Sequence, residues 1–299
     1  MPTTLLLQLS QDHSVCLLAP TPFPTSISSD MLQTVDHDQL LGWSQDISHK
    51  GIEHVILSGE PTLLYEDASH MIEGIKNIFG LSDTAIHKLH YAQALGYYYP
   101  AYEPEAASQN MIVLYAGDSL LFSVLSGGRV IRGQHQLAGN LGESLIKNPG
   151  LEGNTYQVEP LKHFVSIQGL RRVTGSLLPQ FQGTSPLLTH TLSSLSVADF
   201  QQALQQKDEL AQLIVAKMGK VLGTKLADLM STASPDQIII HGPLAQLGAP
   251  FSEVVHASLE HHVLEIFRKK VSIHLSPSSL SEKIIGGCLA FKKQQIPTV

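Results

Sequence analysis

Cysteine is nearly missing from this chain. Cys16 and Cys288 are the only two and lie at opposite ends, so neither a disulfide framework nor a cysteine-built zinc site can be read from their spacing. A reducing, cytoplasmic setting is the expectation. Positive charge is also sparse: 19 Lys and Arg against 26 Asp and Glu leave a formal charge of −7. The only dense basic cluster is FRKK at 267–270, so a polyanion partner is disfavoured and no nucleic-acid partner is expected. Long apolar runs are missing too. The opening MPTTLLLQLSQDHSVCLLAP has three leucines in a row and no basic flank, which does not read as a signal peptide, and no window approaches the roughly 18 apolar residues of a membrane span. No membrane partner is expected.

The residues present make globular material, 43% hydrophobic and 15% charged with 23 glycines and 16 prolines in 299 residues. That length favours two lobes of about 100–200 residues each. Residues 4–19 read as a hairpin, LLLQL then SQDHS then VCLLA, closed by Pro20, Pro22 and Pro24. HVILSG (54–59) is a third strand. After it Met71, Ile72, Ile75, Ile78 and Phe79 recur at helical spacing until Gly80 stops the run. YYYPAYEPEAASQ (97–109) has two prolines and no period, and reads as the crossing between lobes. The theme then repeats: MIVLYAG is a strand, LLFSVLSGGRVIRG a hairpin turning at Gly127-Gly128, and PDQIIIHG (235–242) a buried strand. Before that last strand runs a long helix with Leu210, Leu213, Ile214, Met218, Val221 and Leu222 on one face. Its Gly219 and Gly223 either let another element approach closely or only weaken the helix by about 1 kcal/mol each.

Three turns follow strands directly, in LQLSQDHS, LYAGDS and IIIHGPLA, and in α/β folds ligands bind where strands end. A fourth small-residue stretch, RGQHQLAGNLGE at 132–143, comes directly after the second hairpin. It resembles the R-G-x-x-x-x-A-G-E-x-G-H segment of the ROK family, bacterial sugar kinases and sugar-responsive repressors of the actin/hexokinase-like superfold. Arg132, Gly133, Ala138, Gly139 and Gly142 match. PDQIIIHGPLA is similar to that family's P-E-x-I-V-x-G-G-x-L strand, and SPSSLSEKIIGGCLA to its closing L-G-x-x-A-x-x-I-G-A-A segment. The resemblance implies an α/β, two-lobed actin-like ATPase or ribonuclease H-like fold with an interlobe cleft. Lobe one would span 1–107 and lobe two 108–285, with a terminal helix at 286–299 returning to lobe one. A homodimer is expected.

The chemistry such a kinase needs is only partly present. It must cradle ATP phosphates, hold Mg²⁺ near a carboxylate and deprotonate a sugar hydroxyl. The family's D-x-G-G-T loop corresponds here to Gln8, Leu9, Ser10, Gln11 and Asp12, so Asp12 is at best a displaced carboxylate. Its G-T-G-x-G-G-G loop corresponds to 117–123, where Gly117 survives, Ser119 follows, and Asp118 brings negative charge towards the position of a γ-phosphate. Gly242 marks the third strand end. IHKLHYAQALGYYY is similar to the N-D-x-N-A-A-A-L-G-E segment through Ala92, Ala94, Leu95 and Gly96, but Leu89 falls on the catalytic aspartate and His90, one position on, is the only nearby base. The motif glutamate is Asn140 and its histidine Glu143. The cysteine-rich zinc segment is absent, so no metal is expected.

These substitutions predict a scaffold that has lost phosphotransfer and binds a small polar, sugar-like ligand or a protein partner, with Gly139, Asn140 and Glu143 as ligand contacts and Asp12, Gly117, Ser119 and Gly242 as remnants of a nucleotide site. No cofactor is required in that reading. The alternative is an ATP-dependent carbohydrate kinase, of glucokinase or N-acetylmannosamine kinase type, using Mg-ATP with Asp12, Asp118, His90 and Glu143 as replacement groups. A repressor needs a DNA-binding domain ahead of strand one, and a bare interaction module needs no ligand. If the loop opens a helix, Asn140 and Glu143 share one side of its first turn. There they serve either a ligand's hydroxyls or each other as a capping pair.

Overall fold

The structure, a computed structural model, describes residues 3–10, 13–20, 23–67, 69–135, 137–147, 158–268 and 271–295. The chain opens with β1 (Thr3–Leu9), β2 (His13–Pro20), β3 (Gln33–Asp36), α1 (His37–Asp46), β4 (Ile52–Gly59), α2 (Ser69–Phe79), β5 (Ile86–His90) and α3 (Tyr91–Tyr102). It continues with β6 (Met111–Ala116), β7 (Leu120–Ser126), β8 (Arg129–Val130), β9 (Leu145–Lys147), β10 (Val158–Pro160), α4 (Ile167–Leu177), α5 (Val197–Gln205) and α6 (Glu209–Ala233). β11 (Gln237–His241), α7 (Ala249–His262), α8 (Glu265–Arg268), β12 (Ser272–Ser276) and α9 (Leu280–Gln295) complete it. Two compact units result. Unit one comprises Met1–Ser108, Gly127–Gln136 and Ser279–Val299; unit two comprises Gln109–Ser126 and Leu137–Ser278.

In unit one the strands run β3-β2-β1-β4-β5. β1 pairs antiparallel with β2 and parallel with β4, and β4 pairs parallel with β5. The unbroken leucines of β1 are explained by cover on both faces. Leu5, Leu7 and Leu9 point into a core with Leu40 of α1 and Ile72 and Ile75 of α2, while α9 packs across β1 and β4 and against α3. Gly287 of α9 makes that last contact possible, because a Cβ there would collide with the carbonyl of Ala94.

The segment 97–102, read from sequence as an interlobe crossing, is instead the second half of α3, with Pro100 inside the helix. Burial outweighs the proline's cost here. Tyr97 and Tyr99 are 3% and 2% exposed, and Tyr97 meets Phe291 of α9 edge-on at 5.2 Å, an aromatic contact that adds to area burial.

In unit two the order is β12-β11-β6-β7, with β6 antiparallel to β7, parallel to β11, and β11 parallel to β12. Every residue of β6 is buried. The long helix α6 places Leu210, Ile214, Met218 and Leu222 in the core, whereas Leu213, assigned to the same face from spacing, is 47% exposed. Gly219 and Gly223 admit α7. A Cβ on Gly219 would stand 2.9 Å from Val254 Cβ, and one on Gly223 2.5 Å from the Val255 carbonyl. Close approach, not helix weakening, accounts for this pair.

Candidate functional site

The glycine turns expected to carry chemistry gather at one end of the unit-two sheet. β6 and β11 are parallel neighbours in a register that sets His241 beside Tyr115, so the turns after them emerge side by side. Position 242 requires its glycine. The φ of Gly242 is +93°, and a Cβ would lie 2.7 Å from the Ala116 carbonyl, a conformation and a contact that an L side chain resists. Between β6 and β7 the turn is only Gly117, Asp118 and Ser119, closed by the Gly117 N–H donating to the Ser119 carbonyl at 3.0 Å. The Gly117 carbonyl accepts from the N–H of Ile167 at 2.9 Å, which ties the turn to the start of α4.

Asp118 stands exposed at the tip. Loss of water on the side facing the turn pushes its carboxyl above the ordinary value, and Arg171 pulls it part of the way back. Arg171 had no signal in the sequence, being far from the turn along the chain.

The small-residue loop reaches the same end. The Gly139 carbonyl accepts from the N–H of Phe122 at 2.7 Å and of Leu141 at 2.9 Å. Leu141 is buried. A Cβ on Gly142 would stand 3.2 Å from Lys162 Cβ and 3.3 Å from the backbone of Leu120. The loop is small because it lies against the first residues of β7. It does not open a helix: Leu141–Glu143 is a single 3-10 turn with extended backbone after it at Ser144. The expectation of a shared helical face for Asn140 and Glu143 is corrected accordingly, and the capping pair does not form, since Asn140 makes no side-chain cap. Glu143 is exposed and forms an ion pair with Lys162 instead.

Arg132, which opens the motif, serves unit one. Its guanidinium lies 4.8 Å from the Phe291 ring centre and donates to the Lys88 carbonyl at 3.4 Å. His90 also belongs to unit one, at the junction of β5 and α3, where it is 4% exposed. Its Nδ1 accepts the N–H of Gln93 at 3.2 Å, while its own backbone N–H donates to Gln93 Oε1 at 3.3 Å. This is a capping box, which spends the Nδ1 lone pair on the helix end. Asp12 lies outside the described residues. Among the described residues no group of three or more His, Cys, Asp and Glu could hold a metal ion, and no helix is long and apolar enough to cross a membrane. Burial pushes the thiols of Cys16 and Cys288 up to about 12, so neither is a nucleophile. A cavity of about 570 Å³ in unit two is lined by α6 and α7 residues such as Lys220, Glu253 and His261, none of which belongs to the strand-end turns.

Two α/β units, each with a hairpin whose first strand is flanked on its other side by parallel strands, define a protein of the actin-like ATPase fold class used by sugar kinases. The ROK family model matches residues 83–294, and the chain belongs to the ROK family. A glucokinase of Halalkalibacterium halodurans is 20% identical over 190 residues, 63% of this chain, and the match spans 58% of that enzyme's length. The crystal structure of a ROK family transcriptional regulator, a homologue of the E. coli MLC protein, superposes with a TM-score of 0.74 at 17% identity, covering 97% of this chain and 77% of that one. A ROK family glucokinase from Streptomyces griseus, in complex with glucose and AMPPNP, gives a TM-score of 0.71 at 14% identity over 96% and 98% of the two chains.

Proposed function

We propose that this protein is a ROK-family member that binds a small polar, sugar-like ligand and does not transfer phosphate. The observation that carries this reading is the Gly117–Asp118–Ser119 turn. A phosphate cradle needs several backbone N–H groups converging on an anion without side chains in the way. This turn has one glycine, spends that glycine's N–H on its own closure, and projects a carboxylate from its tip. Gly242 and Ser119 remain as architecture of the former nucleotide side, and Asp12 belongs to the same remnant. His90 is a helix cap and not a base.

On the ligand side, Gly139 holds the loop to β7, Asn140 presents an amide to solvent, and Glu143 presents a half-exposed carboxylate paired with Lys162. Donors and acceptors so placed suit hydroxyl groups. Glucose bound in the Streptomyces griseus relative supports a sugar-like ligand. No cofactor is assigned; Mg-ATP belongs only to the kinase alternative. The −7 charge supports the absence of a nucleic-acid target, and the two buried free thiols suit a cytoplasmic setting.

Calorimetric titration with Mg-ATP tests the central point. No binding up to millimolar nucleotide is expected, and micromolar affinity restores the kinase reading. Against a panel of neutral sugars, Glu143→Gln is expected to weaken ligand binding with a change in stability below about 0.5 kcal/mol, as for an exposed ion pair.

A further inference from the structure

Unit one contains a second, wholly different candidate site: a polar cavity of about 410 Å³ between α2, β5 and the segment ending at His135. That volume lies in the range of small-molecule sites, roughly 300–1,000 Å³. Its outer wall is an ion-pair cluster in which Lys76 is held by Asp83 at 2.6 Å and by Glu73 at 3.4 Å. Both acids are therefore already engaged by a cation.

The floor is different. Lys88 projects from the edge strand β5, donates one N–H to the Leu64 carbonyl at 2.7 Å, and has its ammonium 4.9 Å from the centre of the Tyr65 ring. No carboxylate accepts from it among the described residues. Partial burial pushes Lys88 below the usual lysine range, the direction expected of a cation whose surroundings give it no counter-charge. A purely structural role accounts for the bond to Leu64 and for the stem packed on Tyr65, but leaves two N–H directions of a half-buried ammonium unspent. Leu64 and Tyr65 stand in a π-helical turn, Leu63–Asp67, a backbone form that occurs often at functional sites. His135 lines the same cavity and is exposed.

We propose that this cavity binds a hydroxylated acid of monosaccharide size, its single oxyanion resting on Lys88 and His135 and its hydroxyls on Tyr65 and the Lys76–Asp83–Glu73 wall. The shared chemistry is one carboxylate or one phosphate on a polyol body. The site uses none of the unit-two residues, so it stands or falls apart from the function proposed above.

The test is calorimetric titration of the full chain with glucuronate and with glucose 6-phosphate, and with glucose as the neutral probe. At least one acid is expected to bind with Kd below ~1 mM, in the ordinary range for small metabolites, and any binding of glucose, which has no oxyanion for Lys88, is expected to be the same in the unmodified protein and in Lys88→Gln; which acid binds tells carboxylate from phosphate. Lys88→Gln is expected to weaken that binding at least tenfold. His135→Ala, at an exposed position where folding is not at stake, is expected to weaken it about threefold, and Glu143→Gln to leave it unchanged. Failure of both acids to bind overturns the proposal, as does acid binding unaltered in Lys88→Gln or in His135→Ala. Loss of acid binding in Glu143→Gln places the site elsewhere and overturns it as well.

Discussion

The two sheets follow one plan and differ in how they use it. In both, a hairpin comes first, the next long strand adds in parallel on the hairpin's other side, and a further parallel strand completes that edge. β4 of unit one and β11 of unit two are therefore counterparts, and a glycine stands at the end of each. Gly59 faces side chains: a Cβ would meet Leu64 Cγ at 3.3 Å and Leu9 Cβ at 3.4 Å. Gly242 faces backbone at 2.7 Å and carries a φ of +93°. Side chains can shift by tenths of an ångström, whereas a strand's carbonyl cannot shift without disturbing the sheet. The same punctuation mark is thus a packing preference in one unit and a requirement in the other.

The contrast can be broken at its strongest point. Gly242→Ala is expected to cost about 3 kcal/mol or more, combining left-handed strain with overpacking, and Gly59→Ala about 1 kcal/mol. Urea unfolding of the two variants side by side decides it, and equal losses remove the distinction.

A second difference concerns charge. Unit one gathers His54, Arg132, Lys292 and Phe291 around His87, with the two imidazole rings 5.8 Å apart and Lys292 only 3% exposed. Burial, and then its cationic neighbours, lower His87 from 6.5 to about 4. Burial, and then Lys292, lower His54 in the same direction, with Glu53 opposing. A histidine depressed in the fold binds fewer protons than in the unfolded chain between those two values, so its stability contribution is complete above pH 6.5 and is lost as pH falls towards 4. A shift of that size sets a ceiling of about 3 kcal/mol on the loss assigned to His87, and water at the partly exposed residue lowers it. Denaturation midpoints at about pH 7 and about pH 4.5, which bracket most of that window, should converge in His87→Gln relative to the unmodified protein; an unchanged gap would show that His87 is not the responsive group.

The smallest expected effect separates capping from chemistry at His90. His90→Ala should lower stability by about 1 kcal/mol, and His90→Asn, which can cap, should retain most of it. Sugar-dependent ATP hydrolysis that disappears in His90→Asn while stability holds would return the histidine to a catalytic role.

Much of this was readable from residue order. The long periodic elements β1, β2, α2, β6, α6 and β11 announce themselves because burial imposes a strict spacing on apolar side chains. β5 and β12 do not, since IHKLH and SIHLS are short edge strands with polar residues between their few apolar ones. α3 is masked by Pro100, whose cost is outweighed by tyrosines that only the folded α9 can cover. The strand-end glycines of the candidate site are legible for the same reason as any sharp turn. The partners that fix its chemistry are not. Lys162 reaches Glu143, Arg171 influences Asp118, and Tyr65, Lys88 and His135 share a cavity only because separate segments fold together.

Unit one is assembled from segments before, within and after the stretch of chain that makes unit two, and this sets an order of events during synthesis. When residue 278 has left the ribosome, unit two has all of its sequence. Unit one at that moment still lacks α9, the helix that brings Ile284, Ile285, Leu289 and Phe291 into its core and whose Gly287 locks onto α3. Domains fold as units at about 5–20 residues per second of translation. The earlier-made strands of unit one therefore wait for its later-made helix, and the leucines of β1 have one face uncovered for the time it takes to build everything between.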